Sequence, residues 1–214
     1  MSRNHPGGYH LSVHCLVTLE QSSTYFTEVS SFMTSKLVSS FELLAQPIIP
    51  SAFAPAGIEN PFVVQAYFLI ISNFTQNEQV TPAPPITLRF VLDGSNPPVL
   101  PLTFTDTTTA KSIPLVVGTP SFVLEAKLDP ANSVRGTDTT TFLLQPDVKK
   151  ILQQGGAPNY ELRGYVTIDA PSGTQLLLSP QTRGTFFRGT LPTLTVVSEE
   201  SSVLPTAHGP LYVF

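Results

Sequence analysis

Residues 60–72, NPFVVQAYFLIIS, constrain the fold of this chain more than any other stretch. Pro61 favours an extended start. From Phe62 to Ile71 every residue except Gln65 is apolar, and most are aromatic or β-branched. That length and composition read as a central strand buried on both faces, with Asn73 as its punctuation. The rest of the chain then has to supply strands for either side of it.

Downstream it does so at a regular beat. Residues 86–92 (ITLRFVL) read as a strand and 93–98 (DGSNPP) as a turn. Residues 99–105 answer with Leu100, Leu102 and Phe104 on one face, and 106–110 form a polar tip. Two short strands, 112–117 and 121–128, are split by Gly118 and Pro120, and a polar loop at 129–139 leads to a strand at 140–145. Pro146 then opens a helix of barely two turns, with Asp147 at its positive end, Lys149 and Lys150 later, and Gly155–Gly156 as its stop. Residues 160–170 alternate, with Leu162, Tyr165 or Val166, and Ile168 marking the core, and Gly164 predicts a bulge. A Pro-Ser-Gly turn at 171–173 leads to 176–178, and strands at 183–190 and 193–198 complete the series. Short strands at spacings of roughly 8–12 residues are the pattern of a sandwich or barrel.

Upstream, residues 10–20 alternate, with Leu11, Val13, Cys15, Val17 and Leu19 on one face and His10, Ser12, His14, Thr18 and Glu20 on the other, Leu16 alone breaking the polar set. Residues 24–29 read as the return strand of a hairpin. In 31–45, Met33, Leu37, Phe41 and Leu44 fall on one helical stripe behind a serine cap, which predicts a short helix, although LVSSFELL within it chooses no period firmly. Residues 46–58, QPIIPSAFAPAGI, carry three prolines, which exclude a helix or a central strand. They predict an extended arm that lays Ile48, Ile49, Phe53 and Ile58 on an apolar surface, of its own sandwich or of a neighbour. The last stretch ends on Leu211, Tyr212, Val213 and Phe214, an apolar set that must be docked.

The expected fold is therefore all-β: an antiparallel two-sheet sandwich, Ig-like or jelly-roll-like, with one or two short helices and extended N- and C-terminal arms. Residues 1–59 would hold the hairpin, the helix and the proline-rich arm, 60–198 the sandwich core and 199–214 the tail, all as one domain. A chain of 214 residues buries roughly 70% of its unfolded surface in such a domain, so no metal or disulfide is required.

Composition narrows the function by exclusion. Charged residues make up 12%, against about 25% in an average domain, and prolines number 21, spread among turns. A surface of Thr, Ser, Asn and Gln is either unusually neutral or covered by another subunit. The net charge is −4 with no basic run, which argues against nucleic acid as a partner. Cys15 is the only cysteine, so neither an internal disulfide nor a cysteine metal cluster can form. The first ten residues carry no apolar signal core, and no apolar run reaches the roughly 20 residues of a membrane helix. The expectation is synthesis in the cytoplasm without a targeting step, and a final place in the cytoplasm or in an assembled particle.

No constellation selects a reaction. His10 and His14 share a face, with His5 near, but lie roughly 13 Å apart at about 3.3 Å per residue, too far to grip one metal ion. Cys15 points to the opposite face from both and reads as a buried thiol. The acids are scattered, and no phosphate-binding glycine loop, GxSxG or HExxH occurs. Asn73-Phe74-Thr75 has the form of a glycosylation site without the secretion context it needs. Arg163, Arg183 and Arg188 each precede glycine and could meet an anion or a partner's carboxylates, or guard strand edges. No catalytic residue, cofactor or metal ligand is assigned. The expected role is structural: a β-sandwich subunit that self-associates with copies of itself into a homo-oligomer, particle or filament, such as a capsid, tail or decoration subunit. Ile48, Ile49, Phe53, Ile58 and Leu211–Phe214 would lie at its interfaces. The alternative is a carbohydrate- or small-ligand-binding module with Tyr25, Phe26, Tyr160, Tyr165, Phe186 or Phe187 as its platform.

Overall fold

The computed structural model describes residues 33–50, 52–57, 59–74, 86–93, 102–128, 139–153, 159–189 and 193–214. All of them belong to one compact unit, Ser31–Phe214. The hairpin, His5, His10, His14, Cys15, Tyr25, Phe26 and Ile58 lie outside the described residues. In chain order the elements are β1 (Met33–Pro47), β2 (Phe62–Asn73), β3 (Ile86–Leu92), β4 (Leu102–Asp106), β5 (Lys111–Ser112), β6 (Val116–Val117), β7 (Val123–Leu128), β8 (Thr139–Pro146), α1 (Val148–Gln153), β9 (Tyr160–Pro171), β10 (Gln175–Arg188), β11 (Thr195–Val203) and β12 (Leu211–Val213). No helix among the described residues is long and apolar enough to cross a membrane.

β2 is the centre of the sheet. Along one edge it pairs with β10 at every position from Phe62↔Phe187 to Asn73↔Leu176. Its other edge is shared. β1 holds it from Phe62 to Gln65, and β8 takes over from Tyr67 to Ser72. The sheet forks at that handover. One arm runs β1-β9-β3-β7-β6 and the other β8-β4-β5, all antiparallel. The hydrogen bonding makes one curled twelve-stranded sheet, a half-barrel, where two separate sheets were expected.

The arms pack on one another through aromatic rings. Phe41 of β1 and Tyr67 of β2 both meet Phe90 of β3, which lies 5.4 Å from Phe104 of β4, and Phe104 stacks on Phe142 of β8. Aromatic pairs at such separations add about 0.5–1.5 kcal/mol each beyond the area they bury. Leu43, Leu69, Ile71, Leu88, Leu144, Val166 and Ile168 fill the space around them. A smaller cluster forms where Ile151 of α1 covers Ala45, Phe62 and Val64, with Phe62 stacked on Phe187. Asp147 starts α1 by accepting a bond from the Lys150 amide at 3.2 Å. Pro146 ends β8 instead of opening the helix.

β2 buries its two ends on opposite faces. Phe62, Val64 and Ala66 are buried, then Tyr67, Leu69 and Ile71, with no residue inserted in the β2–β10 ladder. The intervening Val63, Gln65, Phe68 and Ile70 are only half-buried. The near-continuous apolar run therefore reflects one strand serving two cores in succession, not burial on both faces along its length.

Further expectations change. The strand expected at 112–117 is divided between β5, paired with β4, and β6, paired with β7. Residues 31–45 were expected as a helix, but 33–47 are strand. Met33 and Leu37 of the helical stripe are exposed, whereas Ser39, Phe41, Leu43 and Ala45 alternate inward. Pairing with β9 from Met33↔Pro171 to Ala45↔Tyr160 satisfies the backbone and overrides a weak local preference. Gly164 is not a bulge, since it sits in register between Phe41 and Leu92. A Cβ there would collide with the Val91 carbonyl oxygen and lie 3.0 Å from the Phe41 ring, so close approach is what requires glycine. The irregularity lies instead in β1, between Leu37 and Ser39. Finally, 176–178 and 183–190 are parts of one strand running through Pro180. The Leu178 amide donates to Pro210 and the Pro180 carbonyl accepts from Leu204, so the missing Pro180 donor faces the gap between β12 and β11.

Two predictions follow from this packing. Gly164→Ala should destabilise the chain by about 3 kcal/mol or more, because backbone has to move. A urea midpoint unchanged from wild type would contradict the register of β3 on β9. Burial also raises the Tyr67 hydroxyl above the ordinary tyrosine range, against a smaller opposing effect of its Ser39 hydrogen bond at 3.0 Å. Above pH of about 10 the unfolded chain loses a proton that folded Tyr67 keeps, so stability falls by up to about 1.4 kcal/mol per pH unit, with no such effect below. Denaturant titrations from pH 8 to 11 should show that decline, and Tyr67→Phe should make it shallower without abolishing it, because burial also raises the Tyr160 and Tyr212 hydroxyls.

Candidate functional site

The outward face of β8, β2, β10 and β12 is built by the half of each strand that does not enter the core. The registers order it into rows. Phe74 stands beside Gln175 and Val213, followed by Ser72, Leu177 and Leu211. Thr141, Ile70 and Ser179 come next, and then Leu143, Phe68, Gln181 and Val203. Exposed Phe74 (50%), Val213 (50%), Leu211 (52%) and Val203 (73%) thus lie on one face with half-buried Leu177, Ile70, Phe68 and Leu143. Hydroxyl residues separate them, and among these rows no side chain is charged. Arg183 borders the face, with its guanidinium 4.2 Å from the centre of the Phe68 ring. Sequence reading missed this face. The alternation of Leu177 and Ser179 on β10 signals it, but Phe68 and Ile70 read as core.

The C-terminal segment both contributes to this face and links β10 to β1. β12 pairs with β10 from Gln175↔Val213 to Leu177↔Leu211, which turns Leu211 and Val213 outward and Tyr212 inward. The Tyr212 hydroxyl donates to the Leu37 carbonyl at 3.0 Å and lies 3.3 Å from that of Val38, while the Ala207 amide donates to Val38 at 2.9 Å. Those carbonyls belong to the irregular step of β1, where the ladder with β9 skips Val38. Burial holds the Tyr212 hydroxyl above its ordinary range. Phe214 packs against the main core and lies beneath Lys36, whose Nζ donates to the Val213 carbonyl. Of the four tail residues singled out, Tyr212 and Phe214 are thus taken up within the chain, and Leu211 and Val213 face solvent.

In the proline-rich segment the ends are pinned. Asn60 accepts from the Ile49 amide at 3.1 Å and donates to its carbonyl at 2.6 Å, and the Ile48 amide donates to Pro61. Ile48 is exposed, Ile49 half-buried, and Phe53 is 79% exposed at the tip. The arginines do not converge. Arg163 is engaged by Glu42 at 2.6 Å and Glu161 at 2.8 Å, with its pKa raised chiefly by the Glu42 hydrogen bond. Arg183 lies opposite Ala66 beside the Phe68 ring, and Arg188 ends β10. The aromatic candidates also point to separate places. Phe187 is spent on Phe62, Tyr160 packs into both core clusters with its hydroxyl unpartnered, and Tyr165 is exposed on β9.

On the other arm Arg89 joins three strands. It pairs with buried Asp169 of β9 and donates to Glu125 of β7 at 2.9 Å. The Glu125 hydrogen bond is the main cause of its raised pKa. The arrangement ties β3 to both neighbours. Among the described residues no three His, Cys, Asp or Glu side chains gather where a metal ion could be held.

In comparisons with known proteins, no family model matches the chain and no curated protein matches its sequence.

Proposed function

We propose that this chain is a structural β-subunit, its two arms packed as the leaves of a sandwich would be, that self-associates into a homo-oligomer, particle or filament through the outer face of β8-β2-β10-β12. The observation that carries the reading is the outward set Leu177, Leu211, Val213 and Ile70, held in place by the fold on rows that carry no charged side chain, with Arg183 at their border. Water leaves such a face at a gain of about 25 cal/mol per Å² of apolar surface, and no charged side chain within the rows has to be desolvated. A second copy offers the same uncharged, hydroxyl-studded surface in return, which suits an isologous contact. The low charge content of the chain, 12%, supports the same role. The competing view of a sugar- or ligand-binding module calls for a row of exposed aromatics flanked by polar groups; Phe187, Tyr160 and Tyr165 point to separate places, and on the outer face exposed Phe74 and half-buried Phe68 stand three rows apart.

The test is sedimentation mass over a range of dilutions for the full chain, for Leu211→Lys with Val213→Lys, and for Phe53→Ser. Wild type should exceed the mass of one chain and dissociate on dilution. The double lysine variant, which leaves Tyr212 in place, should weaken association at least tenfold, about 1.4 kcal/mol or more. Phe53→Ser should leave it unchanged. A wild-type chain that stays single at every concentration overturns the proposal, as does association indifferent to the lysines.

A further inference from the structure

The groove between β1 and β10 is filled by β12, and the chain leading to it is longer than it needs to be. The Leu204 amide bonds to Pro180 and the Leu178 amide to the Pro210 carbonyl. Six steps of chain from Leu204 to Pro210 thus cover what two steps cover on β10. Four residues, roughly 13 Å of extended strand, are held in reserve. They make the excursion through Ala207 to β1 and turn back at Gly209, which has a φ of 74° and open space where a Cβ would be. β12 itself is only three residues long, yet its seat is specific, because Tyr212 is buried and its hydroxyl bonded to β1.

A short terminal strand with a specific seat can be exchanged at low cost, since its seat contacts are the same in cis and in trans, and the reserve of chain gives it the reach to do so. We propose that in the associated form β12 is exchanged between copies, each copy's Tyr212 filling a neighbour's groove between β1 and β10. The inference rests on the self-association reading above and identifies how that contact is locked. Exchange also lays Leu211 and Val213 of one copy beside Leu177 of the other, so the seat is continuous with the outer face proposed as the interface.

Disulfide trapping tests it. Leu178 and Pro210 form a hydrogen-bonded pair, which makes Leu177 and Leu211 the adjacent non-bonded pair, with Cα atoms about 4.5 Å apart and within disulfide range. Two differently tagged full-length chains, Leu177→Cys and Leu211→Cys, each with Cys15→Ser, are mixed, allowed to associate and oxidised. Exchange predicts a doubling of apparent mass on a non-reducing gel through the mixed 177–211 disulfide, with neither like-with-like product. Like-with-like disulfides in equal yield would mean mere proximity and overturn exchange. No mixed product in an associated sample, while the chain carrying both cysteines closes its disulfide internally, also overturns exchange and leaves self-association standing. A single-chain mass throughout removes both. Gln175→Cys with Val213→Cys, the pair on the same side two residues along, serves if the leucine variants fail to fold.

Discussion

A strand has two edges, and β2 divides one of them between two partners. β1 holds it up to Gln65 and β8 from Tyr67 onward. Two strands cannot occupy the same edge, so their arms must diverge, and a curling sheet brings the diverging arms face to face. The ring series Phe41, Phe90, Phe104 and Phe142 is the contact this produces. The reversal of burial between Ala66 and Tyr67 has the same origin. Before the fork, β2 is covered by α1 on one face, and beyond it by the opposing arm on the other.

The same geometry leaves the outer face uncovered by the main core and leaves β1 short of a partner near Leu37. The second deficit is met by the C-terminal segment, through the Tyr212 hydroxyl and the Ala207 amide. Seating Tyr212 inward this way fixes Leu211 and Val213 outward, because neighbours of an inward residue on a strand point the other way. Edges unpaired among the described residues are handled differently. β5 and β6 have two residues each, and β11, with nine, carries Glu199 and Glu200 at its middle. Antiparallel pairing of two copies about that point would set carboxylates against one another. Edge pairing is thereby discouraged, and the proposed association falls to the uncharged face.

How much was legible in the sequence varied with how local the cause was. The central place of 62–71, the strand at 86–92, the short helix near 148 and the inward Leu162 and Ile168 all rest on composition or alternation within one segment, whereas the choice between Tyr165 and Val166 does not. The helix expected at 31–45 failed because the strand is held by β9, more than a hundred residues away, and its serines choose no period. Gly164 was noticed for the right reason, an unusual backbone demand, but the demand is the approach of Phe41 and Val91 and not an extra residue. The outer face was not legible. Phe68 and Ile70 have the same apolar chemistry as Leu69 and Ile71, and only the position of the fork decides which pair turns inward. The tail was legible as needing a dock, yet only its register with Gln175–Leu177 separates buried Tyr212 from its exposed neighbours.

Hydroxyl-radical footprinting of dilute and concentrated protein, with mass read on the same samples, tests the account most directly, because it reports side chains one at a time. Association through the outer face predicts that labelling at Phe74, Leu177, Leu211 and Val213 falls as the mass rises, while Phe53, Val196 and Val197 stay reactive. Loss of labelling at Phe53 or at Val196 and Val197, with the outer face unchanged as the mass rises, would contradict it.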